Sequence, residues 1–250
     1  MSQADLPETP IPEAIPSRAR SAKDLQLERE LRSLKTLLVN EAVQAIGMLE
    51  QAADALVRLD VELARKIIGQ DDEIDREEVR IEEECFRVLA LFQPFARDFR
   101  ELTTIMKINN DLERVADHSV ALAKQAVKLK NLGVTEFPIS LKELTQRVPM
   151  LCHAVLSTLR SQDVQAARLV QLNDKAIDSL DKRLFEECLD IMGDSRNSQA
   201  AAMRIFRCGR ELERVGDLMK NIAEDLIYLE TGSIVRHEKN PYVAPPSRPA

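Results

Sequence analysis

The sequence is poor in the residues that build sheets and nucleotide loops. Its 250 residues include no Trp, two Tyr, seven Phe and seven Gly. That is too little aromatic and glycine content for sandwiches, barrels or Gly-looped nucleotide folds. No apolar run is long enough to span a bilayer. The opening MSQADLPETP has neither the positive start nor the apolar core of an export signal. Basic residues form no block, and 35 Lys and Arg against 42 Asp and Glu leave a net charge of −7. That balance argues against a nucleic-acid partner. Cys85, Cys152, Cys188 and Cys208 make no CxxC and no cluster, so reduced core thiols of a cytoplasmic protein are expected. No Gly-x-x-x-x-Gly-Lys loop occurs. Val115, Met150 and Ile234 stand three residues before His118, His153 and His237, so the Glu-x-x-His of ferritin-like di-iron sites is also missing.

What remains is Ala, Leu, Glu, Arg and Lys, the material of long helices. Eight of the eleven prolines fall in the first sixteen or last ten residues, which predicts disordered Pro-rich termini around a helical body. Ser21 and Asp24 form a capping signal. Leu31, Leu34, Leu38, Ala42, Ala45, Leu49, Ala52 and Leu56 then recur at helical steps. A short helix from Asp60 to Gly69 follows, then one over 71–92, a break at Pro94, and one over 96–131 closed by Gly133.

The pattern then begins again. Leu56, Asp60, Val61, Ala64, Arg65, Asp71, Ile74 and Asp75 all recur 103 residues later, giving 8 identities over 56–75 and 159–178. Glu83-Glu84-Cys85 recurs as Glu186-Glu187-Cys188 at the same offset, and Leu112-Glu-Arg-Val-x-Asp117 recurs as Leu212-Glu-Arg-Val-x-Asp217 at an offset of 100. The expected fold is therefore all-α, two tandem three-helix bundles, each of three long helices and a short one. The chain divides into a Pro-rich tail (1–24), a first repeat (25–133), a second repeat (137–232) and a C-terminal tail (233–250).

Carboxylates at helical spacing carry the chemistry. Glu113 and Asp117 lie one turn apart beside the stripe Leu112, Val115, Ala116, Ser119, Leu122, Ala123 and Ala126. Glu213 and Asp217 repeat this beside Leu212, Val215, Gly216, Met219, Ile222 and Ala223, with Asn221 and Glu224 continuing the polar edge. The preceding helices carry Asp71 with Asp75 and Asp174 with Asp178, extended by Glu78 and Asp181. Like charges one turn apart destabilise a helix by about 0.2–0.5 kcal/mol per pair, so four equivalent pairs need compensation. Two readings stand at this point. One is a solvated flank neutralised by Arg65, Arg76, Arg114 and Arg214. The other is a hard cation such as Mg²⁺, Ca²⁺, Mn²⁺ or iron held between two helices. Cys85 and Cys188 repeat on the apolar face and read as core.

Asn110-Asp-Leu-Glu-Arg-Val-Ala-Asp-His118 and Glu211-Leu-Glu-Arg-Val-Gly-Asp217 resemble the signature of the PhoU family. Gln93-Pro-x-Ala-x-Asp-x-Arg100, Asn221-Ile-Ala-Glu224, Tyr228-Leu-x-Thr-Gly232 and Val235-Arg-His237 resemble its flanking segments, so the likeness runs over about 25–237. The resemblance implies paired three-helix bundles whose acidic motifs bind metal clusters, described with iron or zinc. Matched position by position, the implied ligands are Asp71, Asp75, Glu113 and Asp117, then Asp174, Asp178, Glu213 and Asp217, with Glu224 supporting. It also implies a cytosolic negative regulator of the phosphate-starvation response. Its implied partners are the ATPase subunit of the phosphate ABC transporter and a membrane sensor histidine kinase, so membrane contact runs through partners only. Long amphipathic helices make a homodimer the expected assembly.

The chain departs from the family at Lys124, which stands where the second repeat has Glu224, so the second repeat is expected to hold a cation better. Ala116 likewise replaces the equivalent of Gly216. Two other functions compete with the regulator: a metal-dependent enzyme acting on phosphate compounds, and a plain helical oligomerisation module.

Overall fold

Ser and Asp caps and left-handed turns fix where several of the helices begin and end. In the computed structural model, residues 21–235 are described, except the side chains of residues 171–174. The Pro-rich ends, with Arg236 and His237, and the side chain of Asp174 lie outside the described residues. Helix α1 (Ala22–Arg58) starts at a reciprocal cap: the Asp24 N–H donates to Ser21 Oγ at 3.1 Å, and the Ser21 N–H to Asp24 Oδ2 at 2.9 Å. It ends at Leu59 in the left-handed region (φ 52°), and Asp60 caps α2 (Val61–Ile68) by accepting from the Leu63 N–H. Helices α3 (Asp71–Phe92) and α4 (Ala96–Asn131) follow, separated by Pro94.

The second repeat reproduces this grammar with one change. Helix α5 (Ile139–Ser161) ends at Gln162, the counterpart of Leu59, again left-handed (φ 56°), and Asp163 caps the next helix as Asp60 does. That helix, α6 (Val164–Asp190), then runs on without a break. The expected short helix is therefore absent from the second repeat. Gly69, which closes α2, has Leu172 as its counterpart, and leucine continues a helix where glycine costs about 1 kcal/mol. Helix α7 (Arg196–Thr231) begins at the Ser195 cap and ends at left-handed Gly232 (φ 71°). No strand occurs among the described residues.

Helices α1, α2, α3 and α4 form the first bundle and α5, α6 and α7 the second. The bundles share one apolar core, joined where α4 lies along α7 and α1 touches α5. The stripes read from the sequence are its centre: Leu112, Val115, Leu122, Ala123 and Ala126, with Leu212, Val215, Met219, Ile222 and Ala223, are all at most 2% exposed. Polar pairs flank the seam and set its direction. Arg97 meets Glu230 at 3.3 Å, Lys107 meets Asp225 at 3.3 Å, and His118 Nδ1 lies 2.8 Å from Glu211 Oε2. The Arg204 Nη1 donates to Gln125 Oε1 at 3.1 Å. As α4 numbers rise, α7 numbers fall, so the two helices run antiparallel.

Two glycines inside helices should respond oppositely to Ala. A Cβ at Gly209 would collide with Leu184, which is fully buried, whereas one at Gly47 meets nothing within 4 Å. Gly209→Ala should lower urea-unfolding stability by about 1–3 kcal/mol. Gly47→Ala should raise it by about 0.5–1 kcal/mol, because only helix propensity changes there.

Candidate functional site

Burial of Ile74 and of the Leu112/Val115/Ala116 stripe turns the neighbouring carboxylates of α3 and α4 toward one another. Asp71 lies within electrostatic reach of Asp75 and Asp117, and Glu113 within reach of Asp117, Asp75 and Glu78. Partial burial, then these like charges, raise the Asp71 carboxyl and push Glu113 up to about 7, and burial, Glu82 and Asp75 raise Glu78. A hydrogen bond between Glu113 and Asp117 adds to the rise at Glu113. Lys124 offsets the charge at Asp71, as its position in the sequence suggests.

A further acid joins them that sequence reasoning did not single out. Glu41 of α1 is fully buried, and neither carboxyl oxygen has a hydrogen-bond partner. Burial first, then Glu78, Glu77 and Glu113, push it up to about 9. Its signal in the sequence was a mismatch between repeats: Glu41 sits beside Ala42 in an apolar stripe, and its counterpart 103 residues on is Leu144.

The second cluster is arranged differently. Asp178 is half-buried and Asp217 exposed, and the neighbouring Arg210 reaches both Asp181 (3.0 Å) and Glu213 (3.1 Å). Burial, with Asp217 and Asp181, raises the Glu213 carboxyl, and Arg210 offsets only part of the rise. The counterpart of Arg210 in the first repeat is Asn110. Glu224 does not continue an exposed edge; it is 8% exposed, turned into the bundle. Each cluster thus has a cation beside it, Lys124 in the first and Arg210 in the second. Three of the four arginines expected to neutralise the flanks have other partners. Arg114 pairs with Asp111, Arg65 with Glu62, and Arg76 donates to the Asp72 carbonyl.

The donors of the first cluster are all oxygens and carry unbalanced negative charge, which suits a hard cation and gives zinc none of its preferred His or Cys ligands. Among the described residues, no three His, Cys, Asp or Glu side chains stand close enough to hold a metal as they are. A cation would have to draw the carboxylates inward. The cysteines and the described histidines are buried or paired. All four cysteines are buried, and burial pushes the Cys85 thiol up to about 12 and Cys188 to about 11. His153 lies 2.6 Å from Glu50, and His118 is tied into the α4–α7 seam. There, against the upward push of burial, hydrogen bonds from His118 and Arg207 hold Glu211 below the usual carboxylate range.

The PhoU domain family model matches residues 38–126 and again 141–226. A "Phosphate-specific transport system accessory protein PhoU homolog" of Deinococcus radiodurans is 31% identical over 207 residues, covering 83% of this chain and 97% of the relative. The homolog of the same description from Pseudomonas aeruginosa is 32% identical over 215 residues, covering 85% and 88%. The crystal structure of PhoU from Pseudomonas aeruginosa superposes with a TM-score of 0.79 at 31% identity, over 83% of this chain and all of that one. The phosphate transport system regulatory protein PhoU from Streptococcus pneumoniae gives 0.77 at 30% identity, over 84% and 99%.

The crowded acids make a prediction about pH. Glu41 and Glu113 bind protons more tightly folded than unfolded, so their contribution to stability is fully present below the ordinary Glu range and is lost as pH rises through the folded values. Chelator-treated protein should lose urea-unfolding stability steadily from about pH 5 toward 9. Glu113→Gln should reduce that slope between pH 5 and 7 and leave the loss between 7 and 9.

Proposed function

The chain belongs to the PhoU family, and on that premise we propose that it is a non-enzymatic regulator of phosphate uptake. In this reading it is a negative regulator of the phosphate-starvation response. It works in the cytoplasm as a homodimer and reaches the membrane only through its partners. Those partners are the ATPase subunit of the phosphate ABC transporter and the sensor histidine kinase, which it holds in the non-activating state when phosphate is plentiful. The reading accords with the names of its relatives, which are accessory proteins of phosphate-specific transport. It also accords with the absence, among the described residues, of any helix long and apolar enough to cross a membrane.

The observation that carries the proposal is the carboxylate cluster repeated in both family-matched halves. Iron, manganese or zinc bound there would supply positive charge to faces that otherwise repel themselves. Asp71, Asp75, Glu113 and Asp117 would hold it in the first repeat, and Asp174, Asp178, Glu213 and Asp217, with Glu224 behind them, in the second. The chain's own contribution is to present acidic helix faces rigidly, with the seam fixing one repeat against the other. The described histidines pair with glutamates, His118 with Glu211 and His153 with Glu50, which accords with a non-enzymatic reading.

Protein purified without chelators or metal resin should retain metal by elemental analysis. The Glu113→Ala, Asp117→Ala double variant should lose the share held by the first repeat, and Glu213→Ala, Asp217→Ala the remainder. Tagged protein drawn from cells with intact transporter and kinase should bring both along, and loss of the carboxylates should raise starvation-gene expression in high phosphate. Recovery of neither partner would refute the regulator; phosphatase activity that needs Asp117 or Asp217 and added metal would replace it with the enzyme.

A further inference from the structure

The outer stripe of α3 and its counterpart on α6 carry rims of different charge around apolar centres. Positions 72, 79, 82, 83 and 86 lie on the side of α3 away from buried Ile74, Ile81, Cys85 and Val88, and all five are exposed. They are Asp72, Val79, Glu82, Glu83 and Phe86, three acids and no base around two apolar side chains. The counterparts 103 residues on are Lys175, Lys182, Phe185, Glu186 and Leu189, also all exposed. There, two lysines and one acid surround the two apolar side chains. Val79, Phe86, Phe185 and Leu189 are each between 45% and 49% exposed. The second stripe continues onto α7, where the Phe206 ring meets Phe185 edge-on at 5.5 Å and Met203 is 59% exposed. Large apolar side chains gathered on a surface and rimmed by charge mark a protein contact.

The duplication supplies the geometry. Helices α3 and α6 lie at opposite edges, with α4 and α7 between them. The antiparallel pair α4 and α7 meets through equivalent positions, Lys107 with Asp225 on one side and Arg204 with Gln125 on the other. The two repeats are thus related by an approximate two-fold axis passing between these helices, which brings both stripes to one side of the molecule. A second copy, turned over about a line along α4 and α7, sets its α3 stripe on the first copy's α6 stripe. Its α6 stripe then falls on the first copy's α3. Both contacts form at once, so the assembly closes at two copies. At each contact acids face lysines and apolar side chains face apolar side chains.

We propose that the chain pairs with a second copy of itself through these stripes, the Asp72, Glu82 and Glu83 face of each α3 against the Lys175 and Lys182 face of the other copy's α6. The inference rests on the homodimer reading above and adds its contact surface, its charge pairing and its two-fold closure.

The test is sedimentation velocity on the full chain in chelator-containing buffer. Wild type should sediment as a dimer, and its dissociation constant should rise when about 0.5 M salt is added. Charge reversal on either face should raise the dissociation constant about tenfold or more, because each variant spoils both contacts. The two variants are Glu82→Lys with Glu83→Lys, and Lys175→Glu with Lys182→Glu. Mixing them should restore wild-type affinity, since the reversed faces then meet each other and the native faces meet each other. Misfolded chains could not recover in this way. Glu62→Lys, an exposed reversal on α2, should stay within about twofold of wild type. Dimers that neither reversal weakens would overturn these faces while leaving the homodimer reading in place. A mixture that does not regain affinity would overturn the pairing of one face with the other. A wild type that stays monomeric would overturn the homodimer reading and this inference with it.

Discussion

The lengthwise contact of α4 with α7 is the constraint on which the rest of the molecule depends. Each helix spans about 54 Å at the usual rise per residue, and each is the inner wall of its own bundle. Their small and branched residues bury completely, and pairs such as Lys107–Asp225 and His118–Glu211 allow only one register. Asp225 and Glu211 are 3% and 4% exposed, so sliding one helix past the other would part these buried carboxylates from their partners across the seam. The carboxylate clusters stand on the flanks of these same helices. A rigid seam therefore holds both acidic faces in a fixed relation.

The two copies balance their charges in opposite ways. Positions 41, 110 and 124 of the first repeat are Glu, Asn and Lys; their counterparts 144, 210 and 224 are Leu, Arg and Glu. The net charge over the three positions is the same in both copies. In the first, however, the negative charge is sealed inside the bundle and the positive one lies exposed at the edge. In the second, the guanidinium sits at the cluster and bridges Asp181 and Glu213. Equal formal charge thus gives unequal local fields, because burial sets the dielectric in which each charge acts.

Much of this was legible in the sequence, and the failures have physical causes. Helix ends were readable because Ser21, Asp60 and Asp163 are side-chain caps whose chemistry is local. Buried stripes were readable because helical period survives in a single sequence. Continuity of α6 was missed because the repeat match suggested a short helix that the replacement of Gly69 by Leu172 removes. The carboxylate pairs were visible one helix at a time, but their mutual approach across α3 and α4 is tertiary. Glu41 was marked only by its mismatch with Leu144 in the other repeat, and the reach of Arg210 to Asp181 on α6 is tertiary. The burial of Glu224, 8% exposed although only about 20° round the helix from Asp217, is tertiary and left no mark in the helical spacing.

The four cysteines packed into the core have a consequence for following the protein's motions. All are buried, and burial holds each thiol well above neutral pH, so the folded chain presents no reactive sulfur to solvent. Cys85 belongs to the first bundle and Cys152, Cys188 and Cys208 to the second. Alkylation by a thiol reagent then requires a bundle to open, and mass spectrometry of the labelled peptides times that opening separately for each half. The native sequence already carries a two-channel clock of its own breathing, with no engineered probe.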